Sequence, residues 1–185
     1  MKGFPSKVLV ISDYDGLRFQ EQVKPPIDFI ISCGDVQVRV LEEIYNLFNK
    51  PIFAIKGNHD STAPFPRFVM DVHFKVVQHR NWLIGGWRGV PSYKGTGPYE
   101  WDDLEAMDRL SKFPYVDIFI CHAPLPGLTD KTDYAHHGSE AILKYVREKQ
   151  PKYVFHGHVH QNMGAMVGDS AIISIYGTRT VSLSY

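Results

Sequence analysis

The sequence predicts an α/β fold, on three observations. Lys7 to Ser12, Ile27 to Cys33, Pro51 to Ile55, Val116 to Cys121 and Tyr153 to Phe155 are short, nearly continuous apolar runs, the pattern of strands buried on both faces rather than wetted on one. Between the second and third lies Val36 to Asn49, with apolar residues at Val36, Val40, Leu41, Ile44, Leu47 and Phe48. That is the period of a helix with one buried face, so strand, helix and strand form a βαβ unit. The chain ends differently: Gly164 to Tyr185 holds two or three alternating strands broken at Gly168-Asp169 and Gly177, an antiparallel finish.

The remaining elements fall between these. Pro25-Pro26 stiffens the entry to the second strand, and Pro64 and Pro66 mark an irregular loop from Ser61 to Arg67. Val72 to His79 and Asn81 to Gly86 have strand length and read as a pair joined by a short turn, with His73 and His79 on the strand surface or in the core. Trp87 to Trp101 is the least regular stretch. Its aromatic and cationic residues, Arg88, Tyr93, Lys94 and Tyr99 among them, either flank a phosphate or a base or fold down over a domain edge. Trp101, Leu104, Met107 and Leu110 give a helix from Glu100 or Trp101 to Ser111. Ser139 caps a further helix running to Lys149, with Ile142, Leu143, Tyr145 and Val146 inward.

Length and charge bound the function. The 185 residues fit one domain, 1–185, able to bury a sizeable core. Lys plus Arg equals Asp plus Glu at 20 each, so no broad basic field draws nucleic acid or anionic lipid. No run approaches the roughly eighteen apolar residues that a membrane span needs, and the first apolar run is too short for a signal peptide. A cytosolic protein is therefore expected, with Cys33 and Cys121 reduced and packed as small hydrophobes. No exposed apolar stripe indicates an oligomer.

The chemistry lies at the strand ends. The five buried-type strands deliver, in order, Asp13 and Asp15; Asp35; Asn58 within Gly57-Asn58-His59-Asp60; His122; and His158 with His160. In α/β sheets ligands gather beyond the carboxyl ends of strands, so residues this far apart in sequence can converge. Carboxylates, imidazoles and one amide suit Mn²⁺, Fe²⁺, Zn²⁺ or Co²⁺ and not a thiolate zinc site. Seven such groups exceed what one small cation with open positions takes, and fit two ions sharing a carboxylate.

In this order the motifs D-x-D, GD, GNHD, a lone H and GHVH resemble the signature of the calcineurin-like metallophosphoesterases from Asp13 to His160. The resemblance implies a four-layer α/β/β/α sandwich and a dinuclear centre. In it Asp35 bridges, Asp13, Asp15 and His160 complete one site, and Asn58, His122 and His158 the other. The first motif usually reads Asp-x-His. Asp15 in the histidine's place either hardens the site toward Mn²⁺ or Mg²⁺ and away from Zn²⁺, or does not ligate and leaves the first ion weak. Mn is the expected metal, with Fe, Zn, Ni, Mg and Co as alternatives.

The expected activity is hydrolysis of phosphodiester bonds in small or nucleotide substrates by attack of a metal-bridging hydroxide. His59 would protonate the leaving oxygen, with Asp60 orienting its ring. His156 has a supporting or packing role, and His136 and His137 belong to a solvated loop that can reach substrate. The alternatives are a phosphomonoesterase or nucleotidase with the same site, and a protein-binding scaffold like the endosomal-sorting subunits of this fold. Those subunits lack the histidine of GNHD, which this chain has.

Overall fold

The computed structural model describes residues 5–16, 26–95 and 97–184. Pro25, the first four residues of the amino-terminal run, Thr96 in the irregular loop and Tyr185 lie outside the described residues. The chain runs through β1 (Ser6–Ser12), β2 (Phe29–Ser32), α1 (Val38–Phe48), β3 (Ile52–Ala54) and β4 (Val69–Asp71), then β5 (Val76–His79), β6 (Trp82–Trp87), β7 (Val90–Pro91) and β8 (Glu100–Trp101). It continues with α2 (Asp103–Ser111), β9 (Ile118–Cys121), a 3₁₀ turn (Tyr134–His136), α3 (Glu140–Lys149), β10 (Tyr153–His156), β11 (Met163–Val167), β12 (Ser170–Ser174) and β13 (Gly177–Leu183).

Two mixed sheets result, ordered β13-β1-β2-β3-β4 and β11-β12-β10-β9-β6-β5, beside a small parallel pair of β7 and β8. Val8, Val10, Phe29, Ile31 and Phe53 of the first meet Ile84, Ile118, Ile120 and Phe155 of the second in one core. The opposite face of the first sheet, Leu9, Ile11, Ile30 and Ile52, packs on Val40, Leu41, Ile44 and Phe48 of α1. The opposite face of the second, Phe119 and Val154, packs on α2 and α3, with the Phe119 and Tyr145 rings 4.5 Å apart. Helix, sheet, sheet and helix therefore make four layers, and both sheets are covered on both faces, which is why their central strands read as unbroken apolar runs.

The βαβ unit forms as expected: β2 and β3 pair in parallel around α1. β5 and β6 form the expected hairpin, with His79 opposite Trp82. Of the three closing strands, β11 and β12 pair with each other, whereas β13 crosses to the other sheet and runs antiparallel to β1. Cys33 and Cys121 are free and buried.

Some expectations need correcting. β4 was not foreseen: Val69–Asp71 adds in parallel to β3, and Val72, read as the start of the hairpin, lies in the core between the sheets. Three residues behind a proline-marked loop carry too little pattern for a strand. α2 begins at Asp103 because Asp102 accepts the N–H groups of Leu104 and Glu105; Trp101 stays in β8. Its buried positions are Ala106 and Leu110, while Leu104 is 75% exposed. Leu47, expected inside, is 44% exposed. α3 keeps its expected cap, Ser139 Oγ accepting from Ile142 N–H, and the inner face Ile142, Leu143, Tyr145 and Val146. Among the described residues, no helix is long and apolar enough to cross a membrane.

Candidate metal centre

β1, β2 and β3 of one sheet and β9 and β10 of the other end on the same side of the molecule, and the backbone there is bent sharply. Asp13, Asp35, His158 and His160 have φ of 48°, 55°, 70° and 51°, half of the eight non-glycine residues in the left-handed region among those described. Such a conformation costs about 1–3 kcal/mol per residue. One fully buried Val, Leu or Ile side chain contributes roughly 1.5–3 kcal/mol, and Val8, Leu9, Val10 and Ile11 are all fully buried, so the core behind Asp13 outweighs its strain. Glycines let these ends close up. A Cβ at Gly57 would collide with Asp35 Oδ1, and one at Gly157 with Ser12 Oγ and Asp13 Oδ2.

The result is a cluster in which Asp13, Asp35 and His122 each offer a ligand atom, all within 4.8 Å of one another. His122 Nε2 lies 3.1 Å from Asp35 Oδ2 and 3.9 Å from Asp13 Oδ1. Its other nitrogen, Nδ1, is 2.7 Å from the Cys33 carbonyl, which can only accept, so Nδ1 carries a proton. A neutral ring would then turn the Nε2 lone pair on two carboxylates. Burial opposes charge on this ring, but the Asp35 and Asp13 carboxylates beside it more than reverse that, raising its pKa to about 9. For Asp35 burial is likewise outweighed by His122 and by the His59 N–H, and its pKa falls to about 2. A positive charge belongs between these groups, and a divalent cation competes with the proton for that place.

Asp13 Oδ2 accepts from Ser12 Oγ and His158 N–H, both at 2.8 Å, while the buried Oδ1 has no hydrogen-bond donor. Asn58 Oδ1 is also buried without a hydrogen-bond partner, while His122 Nε2 faces the Asp35 and Asp13 carboxylates. The carboxylate oxygens of Asp13 and Asp35 and the His122 imidazole nitrogen form a donor set for a metal ion. The amide oxygen of Asn58, left unpaired on the loop whose His59 N–H donates to Asp35, is a further candidate ligand that would be costly to bury without a partner. His158 donates Nε2–H to the Ala135 carbonyl at 2.7 Å, which leaves its Nδ1 as a lone pair, and burial lowers its pKa to about 3. Its ring centroid is 5.1 Å from that of His122.

The other expected residues occupy the rim. His160 is exposed, with Nε2 3.4 Å from Asp13 Oδ1. His59 is exposed, its N–H held by Asp35 Oδ1 at 2.9 Å, and it lines a cavity of about 590 Å³ with Asp13, Asp15, Asp35, Lys56 and His160. Asp15 lines the same cavity but lies outside the cluster, accepting from the Tyr176 hydroxyl at 3.5 Å. Asp60 differs from expectation: its Oδ2 accepts the N–H groups of Gly57 and Asp35, at 2.8 and 2.9 Å, and so holds the loop rather than the His59 ring. His156 is buried, donating Nδ1–H to Gly157 O at 3.0 Å.

Three residues enter the site from outside the ligand motifs: His136 and Tyr93, from loops the sequence left open to a substrate role, and Tyr176, which it did not single out. The His136 ring lies 4.9 Å from that of His158, with Nδ1 2.7 Å from Asp133 Oδ1, whereas His137 stays exposed. Tyr176 stacks on His160 at 5.0 Å, and Tyr93 accepts from Asn58 Nδ2 at 3.3 Å. Each arrives by tertiary packing, which no motif spacing encodes.

Comparison with known proteins bears on the family and the fold. The family model for calcineurin-like phosphoesterases matches residues 8–162. No curated protein matches the chain. Among solved structures, phosphopantetheinyl hydrolase from Mycobacterium tuberculosis is similar over 97% of this chain and 96% of its own, with 15% identity and a TM-score of 0.63. Vacuolar protein sorting 29 from Cryptosporidium parvum aligns over 98% of this chain and 88% of its own, with 13% identity and a TM-score of 0.53. A 5'-nucleotidase assignment from Staphylococcus aureus aligns over 96% of this chain and 50% of its own, with 11% identity and a TM-score of 0.54. At such identities the structural likenesses speak for the fold, and the match over residues 8–162 for the family: this chain belongs to the calcineurin-like phosphoesterases.

Proposed function

We propose that this chain is a dinuclear-metal-dependent phosphoesterase that hydrolyses phosphodiester bonds of small or nucleotide substrates. The observation that carries this reading is the cluster of Asp13, Asp35 and His122, each offering a ligand atom within 4.8 Å of the others, with Asn58 Oδ1 buried and without a hydrogen-bond partner on the adjoining loop. Asp13, Asp35 and His160 would hold one ion, with Asp15 beside them, and Asp35, Asn58, His122 and His158 the other. Two divalent ions so held, Mn²⁺ first among them, supply Lewis acidity and a nucleophile from water at neutral pH. The chain supplies the rest. Asp35, fixed by His59 N–H, sets the spacing of the two halves, and His59, exposed in the cavity, donates the proton to the leaving oxygen.

A second reading has specific support. Asp15 lies outside the cluster, and the fold is shared with a vacuolar protein sorting subunit, so a protein-binding scaffold with a weakened first ion is the alternative. The deciding experiment supplies metal-stripped protein with Mn²⁺, Mg²⁺, Ni²⁺ or Zn²⁺ and offers an aryl phosphodiester beside its monoester. Metal-dependent cleavage with the diester faster is the expected result. Faster cleavage of the monoester would make the chain a phosphomonoesterase, and two bound ions without cleavage of either would favour the scaffold.

A further inference from the structure

We infer that Tyr93 is a positioning residue for the second ion, its hydroxyl fixing which end of the Asn58 amide faces the centre. The inference rests on the two-metal reading above. An Asn side chain has nearly the same shape either way round, but only its oxygen can ligate a cation. Asn58 is 8% exposed, and its Nδ2 donates to Tyr93 Oη at 3.3 Å while Oδ1 remains without a partner. The hydroxyl therefore occupies the donor end and leaves the acceptor end for the ion. The Tyr93 ring also lies 6.5 Å from that of His158, the other imidazole assigned with His122 to this ion.

A positioning residue must itself be held, and the 87–101 loop does this. Glu100 Oε2 accepts from Ser92 Oγ at 3.0 Å and from the N–H groups of Tyr93, Lys94 and Gly95 at 3.3, 3.1 and 2.8 Å. One carboxylate oxygen thus gathers four consecutive residues. Below it, Val90 N–H donates to Tyr99 O at 3.0 Å and Ser92 N–H to Trp101 O at 2.9 Å. Gly89 N–H donates to Lys56 O at 2.7 Å, tying the base of the loop to the chain two residues before Asn58. The Lys94 ammonium, 5.0 Å from the Tyr93 ring centroid, covers the ring. The loop is a bracket whose inner end is the Tyr93 hydroxyl.

The test is a Mn²⁺ titration of the full-length, metal-stripped protein, with free Mn²⁺ counted by electron paramagnetic resonance. Wild type is expected to bind two ions. Tyr93→Phe keeps the ring and removes the hydroxyl. It should weaken the second ion by about 10- to 100-fold, the usual effect of losing a ligand's supporting partner, and leave the first ion and the metal-free melting temperature unchanged. Glu100→Gln, which loosens the bracket without touching Tyr93, should act on the same ion in the same direction, and serves if the first variant melts early. Two ions bound by Tyr93→Phe with wild-type affinity would overturn the inference, as would equal weakening of both. A single ion in wild type would overturn the two-metal reading itself before any variant is compared, and the inference with it.

Discussion

The buried half of the candidate centre and its rim are built by different means. Asp13, Asp35, Asn58 and His122 are held on nearly every side: Asp13 by Ser12 and the His158 N–H, Asp35 by the His59 N–H, Asn58 by Tyr93, and His122 by the Cys33 carbonyl. Asp13 Oδ1 and Asn58 Oδ1 are left without a hydrogen-bond donor. Asp15, His59 and His160 are exposed, Asp15 meeting the Tyr176 hydroxyl and His160 stacked on the Tyr176 ring with the His136 ring edge-on 6.4 Å away. The lesson is one of division. Groups whose position must be set in advance are buried and tied by hydrogen bonds to backbone or to other side chains, and groups that must meet a substrate and move a proton stand in the open cavity.

The largest effect should come from the buried half. In Asp35→Asn the amide oxygen can still accept the His59 N–H, while Nδ2–H faces His122 Nε2 and satisfies its lone pair. Both ions should be lost and turnover fall to background, yet the metal-free protein should melt no lower than wild type. Metal content by mass spectrometry beside a thermal melt checks this, and retention of two ions would remove Asp35 from its bridging place. On the rim, His59→Ala should cut turnover by about 10² to 10⁴ with metal content intact, the range for a general acid. Turnover near wild type would take His59 out of the mechanism.

Asp15 tests where the boundary between the halves lies. Asp15→Asn keeps an acceptor for the Tyr176 hydroxyl and removes one negative charge from the cavity. Two ions should remain, and the preference for Mn²⁺ over Zn²⁺ should fall by less than the roughly tenfold that begins the range for a lost supporting partner. A competition titration reads this ratio. Loss of an ion would place Asp15 among the buried half's ligands despite its exposure.

The same division governs what could be read in the sequence. Asp13, Asp35 and His122 follow strands buried on both faces, so an unbroken apolar run ending in an acid or imidazole announced them, and the structure gathers all three. The runs predict an α/β fold, and the four layers are what the family resemblance adds. Asp60 shows the limit: adjacency to His59 suggested contact, but the turn sends its carboxylate to backbone N–H groups. Tyr93, His136 and Tyr176 come from a loop, a 3₁₀ turn and the link before β13. Their approach depends on how the layers stack and not on any local period. Leu104 fails for a related reason, since the 3.6-residue period fixes neighbours on a helix but not which stripe the partner helix covers.

The smallest expected effect separates the fold's response to pH from that of the centre. His73 lies away from the cluster beside Trp87, and its Nδ1 accepts the Arg88 N–H at 3.2 Å, so the folded ring is neutral there. Burial, aided by the Arg88 charge, lowers its pKa from 6.5 to about 4. The unfolded chain takes up a proton near 6.5 and the folded chain does not. This residue's contribution is therefore complete above pH 6.5 and is lost as the pH falls toward 4. His156, lowered to about 4 by burial, acts in the same window, so a wild-type curve alone does not resolve the two. His73→Asn, which can offer Oδ1 to the same N–H but does not titrate, should flatten part of the decline in urea stability between pH 6.5 and 4 and leave metal content and turnover at neutral pH unchanged. An undiminished slope would mean that the decline belongs to other histidines whose pKa burial lowers, His156, His158 and His79 among them, and not to His73.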